Sequence, residues 1–307
     1  MILKKITLTG INERVADDVQ GFIEECEMRF DTDVSMAVET FLSDSRYDIV
    51  LLAGPSSSGK TTTAGKIAEK IREKGRNAFT VSLDDFYLDR DSIPEDENGI
   101  KDFENVTALD IELINRTFSQ LIENRCAELP LYDFKSGRRS DETKHIELGK
   151  NDVIVVEGLH SLNPLITQGL DESHLFRIYI SVSSRVLDDD GKILLNKRNL
   201  RLVRRMIRDF KHRNATAENT FRQWPSVLQG EDKYLFPFET YADIKLDSFH
   251  PYEPCIFKKQ ALEQLDTVGE NSPFYEKARE LKAIYSRADD INPDFLPENS
   301  LLCEFLK

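Results

Sequence analysis

Residues 54–61 read Gly54-Pro55-Ser56-Ser57-Ser58-Gly59-Lys60-Thr61, an instance of the pattern G-x-x-x-x-G-K-[ST]. Each residue type has a physical job. The glycines let the backbone curl so that N–H groups point inward at phosphate oxygens, and the dipole of a helix starting near Gly59 adds positive charge. Lys60 offers a point charge to the β- and γ-phosphates, and the Thr61 hydroxyl is a ligand for Mg²⁺. A chain of this length produces the pattern by chance only about 1% of the time. An ordinary Gly/Ser turn is the alternative. The flanks argue against it: Tyr47–Ala53 is a β-branched apolar run that reads as a buried parallel strand, and Thr61–Lys74 carries Ala64, Ile67, Ala68 and Ile71 on one face, ending at Gly75.

Further strands are expected at Ala78–Leu83, Val153–Val156, Arg177–Val182 and Asp243–Leu246, with helices over 108–124 and 196–213 between them. Strands alternating with helices predict an α/β fold, a P-loop NTPase-type mainly parallel sheet flanked by helices. The polar, turn-rich stretches 88–105 and 130–150 read as excursions from the sheet, where substrate loops usually sit. Ahead of the first strand, Val15, Val19, Phe22, Ile23, Cys26 and Phe30 make an apolar stripe over 12–30, and a second short helix is expected over 33–43. The expected division is an N-terminal helical extension over 1–46, a P-loop domain over 47–257, and a helical segment over 258–307 packed on that domain.

At 307 residues the chain is long enough for a substantial core. Acidic residues outnumber basic ones 55 to 41, which disfavours nucleic acid and anionic lipid as partners. Cys26, Cys126, Cys255 and Cys303 are too scattered for a zinc site or a disulfide framework, so a reducing cytoplasm is expected. The first residues carry no leader-like apolar stretch, and no apolar run, the longest being of the size of Ile49–Ala53, spans a bilayer.

Three other patterns bear on chemistry. Asp84 and Asp85 follow a predicted strand, at the edge where open α/β sheets bind ligands. A carboxylate there can accept the proton of an attacking alcohol; a helix cap is an equal alternative. Val153–Val156 ends in Glu157, placed to hold Mg²⁺ directly or through water. Between 197 and 213 lie Lys197, Arg198, Arg201, Arg204, Arg205, Arg208, Lys211 and Arg213. Most are expected on a solvated helix face. Two or three form an arginine-rich lid that closes on a transferring phosphate.

With GPSSSGKTTT, VSLDDFY, LPLYDF, VIVVEG and RLVRRMIRDFKHR in that order, the chain from Asp48 to Ser248 resembles the phosphoribulokinase/uridine kinase family, and most closely its uridine kinase and nucleoside kinase branch. The resemblance implies ATP and Mg²⁺ as cofactors and a small-molecule acceptor, and it leaves a homo-oligomer open. It implies that Asp84 takes the proton of a ribose 5′-hydroxyl, with Lys60 and Arg208 also catalytic. ATP would lie on Gly54, Ser56, Ser57, Ser58, Gly59, Lys60, Thr61, Thr62, Arg208 and Arg213, with the metal at Thr61 and Glu157. The acceptor would lie against Asp84, Tyr87, Phe103, Glu104, Tyr132, Phe134, Arg205 and Gln223, the aromatics packing on a base.

Two positions depart from the pattern. The family's pyrimidine-reading histidine falls on Gly137, and an arginine expected after the lid falls on Ala215. Both remove hydrogen-bond donors from the acceptor pocket. A kinase for another sugar or alcohol is therefore the second expectation, and a nucleotide-dependent regulatory ATPase the third. A GTPase switch would need N-K-x-D, and Asn196-Lys197-Arg198-Asn199 lacks the Asp.

Overall fold

The computed structural model describes residues 6–93, 101–134 and 136–306. The part of the 88–105 stretch between 94 and 100 lies outside them.

The helices are α1 (Leu8–Leu42), α2 (Lys60–Glu73), α3 (Ile111–Glu123), α4 (Lys197–Arg213), α5 (Ala217–Tyr234), α6 (Glu253–Ile256), α7 (Lys258–Leu265), α8 (Tyr275–Tyr285) and α9 (Cys303–Leu306). The strands are β1 (Ile49–Ala53), β2 (Ala78–Ser82), β3 (Cys126–Asp133), β4 (Arg138–Glu147), β5 (Val153–Glu157), β6 (Leu175–Ser181), β7 (Val186–Leu187), β8 (Ile193–Leu195) and β9 (Ile244–Asp247). Five of these form one parallel sheet in the order β2-β5-β1-β6-β9. Every residue of β1 and β5 is buried, which explains why both read as continuous apolar runs rather than alternating ones. Among the described residues no helix is long and apolar enough to cross a membrane.

The sheet separates two apolar clusters. On one face Val50, Leu52, Phe176 and Ile178 meet α1, α2 and the C-terminal helices through Phe30, Phe41, Ile67, Leu281 and Phe305. On the other, Leu51, Val81 and Tyr179 meet Phe118 of α3 and Leu129 and Ile146 of the β3–β4 hairpin.

Three expectations about elements are corrected. The N-terminal helices do not part at 31–33: α1 runs through that point and breaks at Asp18, whose φ of −152° and ψ of 89° are not helical. The Asp18 carboxylate accepts the Gly21 amide at 2.9 Å and caps a new start, while Asp31 is held to Lys70 of α2 at 2.6 Å. The excursion over 130–150 leaves the main sheet as expected but is not merely turns: β3 and β4 pair as an antiparallel hairpin. Along β4 only Ile146 is buried, so its sequence shows none of the apolar alternation by which a half-buried strand is recognised. The basic helix is not mainly solvated: Arg201 and Arg204 are among the most buried side chains of the protein.

Candidate active site

β1 ends in the phosphate loop, and α2 starts from Gly59, whose φ of +87° places it in the left-handed region that glycine tolerates. The Ser57 and Ser58 hydroxyls are buried with no hydrogen-bond partner among the described residues. Buried polar groups are nearly always satisfied, so orphans lining this loop fit an incoming anion. The Lys60 ammonium rests on the Pro55 carbonyl at 3.3 Å. The loop thus offers phosphate oxygens hydroxyl partners that the protein leaves open.

The register of the sheet assembles the acids. β2 and β5 pair so that Ser82 lies opposite Glu157. The Ser82 hydroxyl donates to Glu157 Oε1 at 2.7 Å and the Thr61 hydroxyl to the same oxygen at 3.3 Å. Burial pushes the Glu157 carboxyl up to about 7, and the Asp84 charge adds to the shift. A carboxylate kept from water beside a hydroxyl of the phosphate loop is a suitable donor set for Mg²⁺: two hard oxygens at the edge of the phosphate site, with room for water and phosphate oxygens in the remaining positions. Just past β2, the Ser82 side chain also caps the short helical turn Leu83–Phe86, which carries Asp84 to the rim of the same cleft.

That cleft has a volume of about 670 Å³ and runs from Lys60 and Thr61 past Asp84 to an aromatic end. There the rings of Tyr87, Tyr132 and Phe134 lie 5.1–6.4 Å apart, centroid to centroid, in tilted and edge-on contacts. Phe103 and Gln223 complete the same wall, and the Tyr87 hydroxyl donates to the Phe103 carbonyl at 3.2 Å. Glu104 faces the cleft but is largely withdrawn from water, and its carboxyl is pushed up to about 7 by that burial against the opposing pull of Arg205.

The arginines of α4 divide into two groups. Arg201 forms a two-pronged ion pair with Glu231 of α5 at 2.6 and 2.8 Å, and also donates to the Ser56 carbonyl. Arg204 does the same with Glu253 at 2.7 and 2.6 Å. Glu231 in turn accepts the Ser56 amide at 2.9 Å, so this group braces the loop from behind. Arg205, Arg208 and Arg213 line the cleft itself. Arg205 donates to the Ser56 hydroxyl at 2.8 Å and to Gln223 at 3.4 Å. Arg208 and Arg213 share Asp209 at 2.8 and 3.5 Å, and Arg213 lies over the Phe134 ring at 5.8 Å.

Of the residues expected to hold ATP, the metal or the acceptor, Gly54, Ser58 and Thr62 do not line the cleft and the others do; Asp85 does not line it either, its carboxylate accepting the Tyr132 amide at 3.3 Å. Thr62 is engaged by a residue that sequence reasoning missed. Glu304, from α9, accepts the Thr62 hydroxyl at 2.9 Å and its amide at 3.3 Å. Arg90 and Lys101 at the aromatic end were missed too. None of the three belongs to a local motif, and only the fold brings them to the site.

A model of the Phosphoribulokinase / Uridine kinase family matches residues 49–251. The chain is 30% identical over 201 residues to a uridine kinase of Bacillus pumilus (strain SAFR-032), covering 65% of this chain and 86% of that one. It is 32% identical over 197 residues to a uridine kinase of Lactobacillus helveticus (strain DPC 4571), covering 64% and 84%. A solved structure described as "Structure of a Possible Uridine Kinase from Bacillus stearothermophilus" overlays with a TM-score of 0.49 at 21% identity, over 70% of this chain and 98% of that one. The match spans the phosphate loop, both acid-bearing strand ends and the arginine helix, and so the chain belongs to the Phosphoribulokinase / Uridine kinase family and is a phosphotransferase with an alcohol acceptor.

Proposed function

We propose that the protein transfers the γ-phosphoryl group of ATP to the 5′-hydroxyl of a nucleoside. The observation that carries this reading is the single cleft in which Lys60 of the phosphate loop, Asp84 and the Tyr87–Tyr132–Phe134 aromatic cluster face one another. The relatives named as uridine kinases support it.

The steps follow from the side chains. The base of the acceptor packs against the aromatic rings, and Glu104 and Arg205 meet the ribose hydroxyls. The 5′-hydroxyl then lies near Asp84. As its oxygen bonds to the γ-phosphorus, the bond from that phosphorus to the β–γ bridging oxygen breaks and the proton passes to the Asp84 carboxylate. Lys60 and the guanidinium groups of Arg208 and Arg213 balance the negative charge spreading over the transferring group. Thr61 and Glu157 would hold Mg²⁺, which when bound neutralises charge on the β- and γ-phosphates.

The test is ADP release with a panel of nucleosides and of non-nucleoside sugars, run on the wild type and on Asp84→Asn. The expected result is turnover with nucleosides, lowered about 10²- to 10⁴-fold in Asp84→Asn while ATP still binds. Near-normal turnover in the variant would remove Asp84 from its role. Gly137 and Ala215 support a second reading, in which the acceptor is another sugar or alcohol; turnover with sugars alone would establish it.

A further inference from the structure

We propose that Arg90 reads the far edge of the acceptor and selects a base with a carbonyl oxygen at the position facing it over one with an exocyclic amino group there. This rests on the nucleoside reading above. The carrying observation is steric. Gly137, in the turn between β3 and β4, has a φ of +71°, and a Cβ built on it would lie 2.7 Å from both Cζ and Nε of Arg90. The guanidinium of Arg90 thus fills the volume from which any side chain at 137 would have to start. The side chain absent from 137 and the one supplied from 90 are alternatives for one place in the wall.

Arg90 is held there from three directions. Its amide donates to the Gly137 carbonyl at 2.8 Å, its carbonyl accepts the Lys101 ammonium at 2.6 Å, and its Nη2 donates to the Phe134 carbonyl at 3.2 Å. The last bond uses one of the five N–H groups that a guanidinium carries. The neighbouring acids face the hairpin: Asp89 accepts the Arg139 amide at 3.0 Å and Asp91 pairs with Arg138 at 3.6 Å. Arg90 and Lys101 both line the cleft, at the end where Tyr132 and Phe134 stand.

The chemistry of this end is one-sided. Arginine and lysine donate hydrogen bonds and accept none. A base lying on the aromatic rings with one carbonyl oxygen toward Arg90 gains a charge-assisted hydrogen bond. A base presenting an amino group there sets donor against donor. The ligand class is therefore an oxo-base nucleoside, pyrimidine or purine.

The experiment measures kcat and KM for uridine against cytidine and for inosine against adenosine, in the wild type, Arg90→Gln and Arg90→Lys. Glutamine offers an acceptor as well as a donor, whereas lysine keeps only donors. The wild type should favour the oxo member of each pair. In Arg90→Gln, KM for the oxo nucleosides should rise about 10- to 100-fold with kcat little changed, and the oxo-over-amino ratio of kcat/KM should collapse. Arg90→Lys should keep the direction of preference, and it decides the matter if the Gln variant does not fold. Turnover of nucleosides without an oxo preference, or with one that neither substitution alters, overturns the role of Arg90 and leaves the nucleoside reading standing. Wild-type failure to turn over or bind any nucleoside overturns both.

Discussion

Glu104 shows what a single residue can and cannot disclose in sequence. Its place beside Phe103 made it a candidate, but its ionisation depends on a neighbour far along the chain. Gly230 of α5 has no side chain, and a Cβ there would collide with the Glu104 side chain. Glycine at 230 thus lets α5 close over the carboxyl, and that closure is what raises its pKa from 4.5 to about 7. Between those two pH values the folded protein holds a proton that the unfolded chain has released. Stability from this group is therefore complete below about pH 4.5 and is lost as the pH rises through about 7. The size is about 3 kcal/mol at most. Lys60, Asp84, Arg205 and Glu231 all act on the carboxyl by charge, so the comparison must hold them fixed. The thermal midpoint of the wild type should fall relative to that of Glu104→Gln between pH 5 and pH 8. Glu157 shifts in the same direction in both proteins and cancels in the difference. Parallel curves would mean that Glu104 is not withdrawn from water as the structure has it. By contrast, the roles expected of Lys60 and Thr61 were readable at once, because a phosphate-binding backbone can be built from few residue types and these sit next to each other in sequence.

At the scale of elements, legibility followed burial pattern. β1 and β5 stood out because strands buried on both faces read as apolar runs, and α2 and α3 because one face of each is apolar. The β3–β4 hairpin was hidden because a backbone ladder, not apolar side chains, holds most of β4. α4 was misjudged for a different reason. A buried arginine and an exposed one look the same until the partner is known, and the partners Glu231 and Glu253 lie on α5 and α6. The difference is measurable. Arg204 is fully buried and paired with Glu253, so Arg204→Met leaves a carboxylate without a counter-charge and should cost about 3–5 kcal/mol. Arg198, on the same helix, meets Asp232 at 3.1 Å with both side chains largely in water, and Arg198→Met should cost about 1 kcal/mol or less. Urea unfolding of the two variants checks this. Equal losses would mean that the Arg204 pair does not carry an isolated buried charge when broken. Arg204 also donates to the Ser57 carbonyl at 3.4 Å, so a large loss should come with weaker ATP binding, which Arg198→Met should leave unchanged.

Over the whole molecule, the two ends of the described chain meet behind the phosphate loop. Glu27 of α1 accepts the Ser300 hydroxyl at 2.6 Å and the Tyr252 hydroxyl as well. Leu301 lies where a side chain at Gly59 would project, the Lys211 ammonium of α4 donates to the Leu306 carbonyl, and Phe305 is fully buried. These contacts fix α9 so that Glu304 reaches Thr62, a convergence that no stretch of sequence records because it joins residues 242 positions apart. The placement sets a carboxylate on donors at the start of α2, where the helix dipole and free amides favour anions. Phosphate oxygens entering the loop compete with that carboxylate, and they also meet its charge, which already adds to the upward shift that burial gives the nearby Glu157. Removing the charge while keeping the shape should therefore help the nucleotide. Glu304→Gln is expected to tighten Mg-ATP binding by about 10-fold in calorimetry, the scale of one hydrogen bond to a charged group. The same substitution weakens the contact in the free protein, so the thermal midpoint should fall without nucleotide, and added Mg-ATP should raise it by more than in the wild type. Weaker binding in Glu304→Gln would reverse the argument, because the carboxylate would then be helping to hold the metal-bound nucleotide instead of standing in its place.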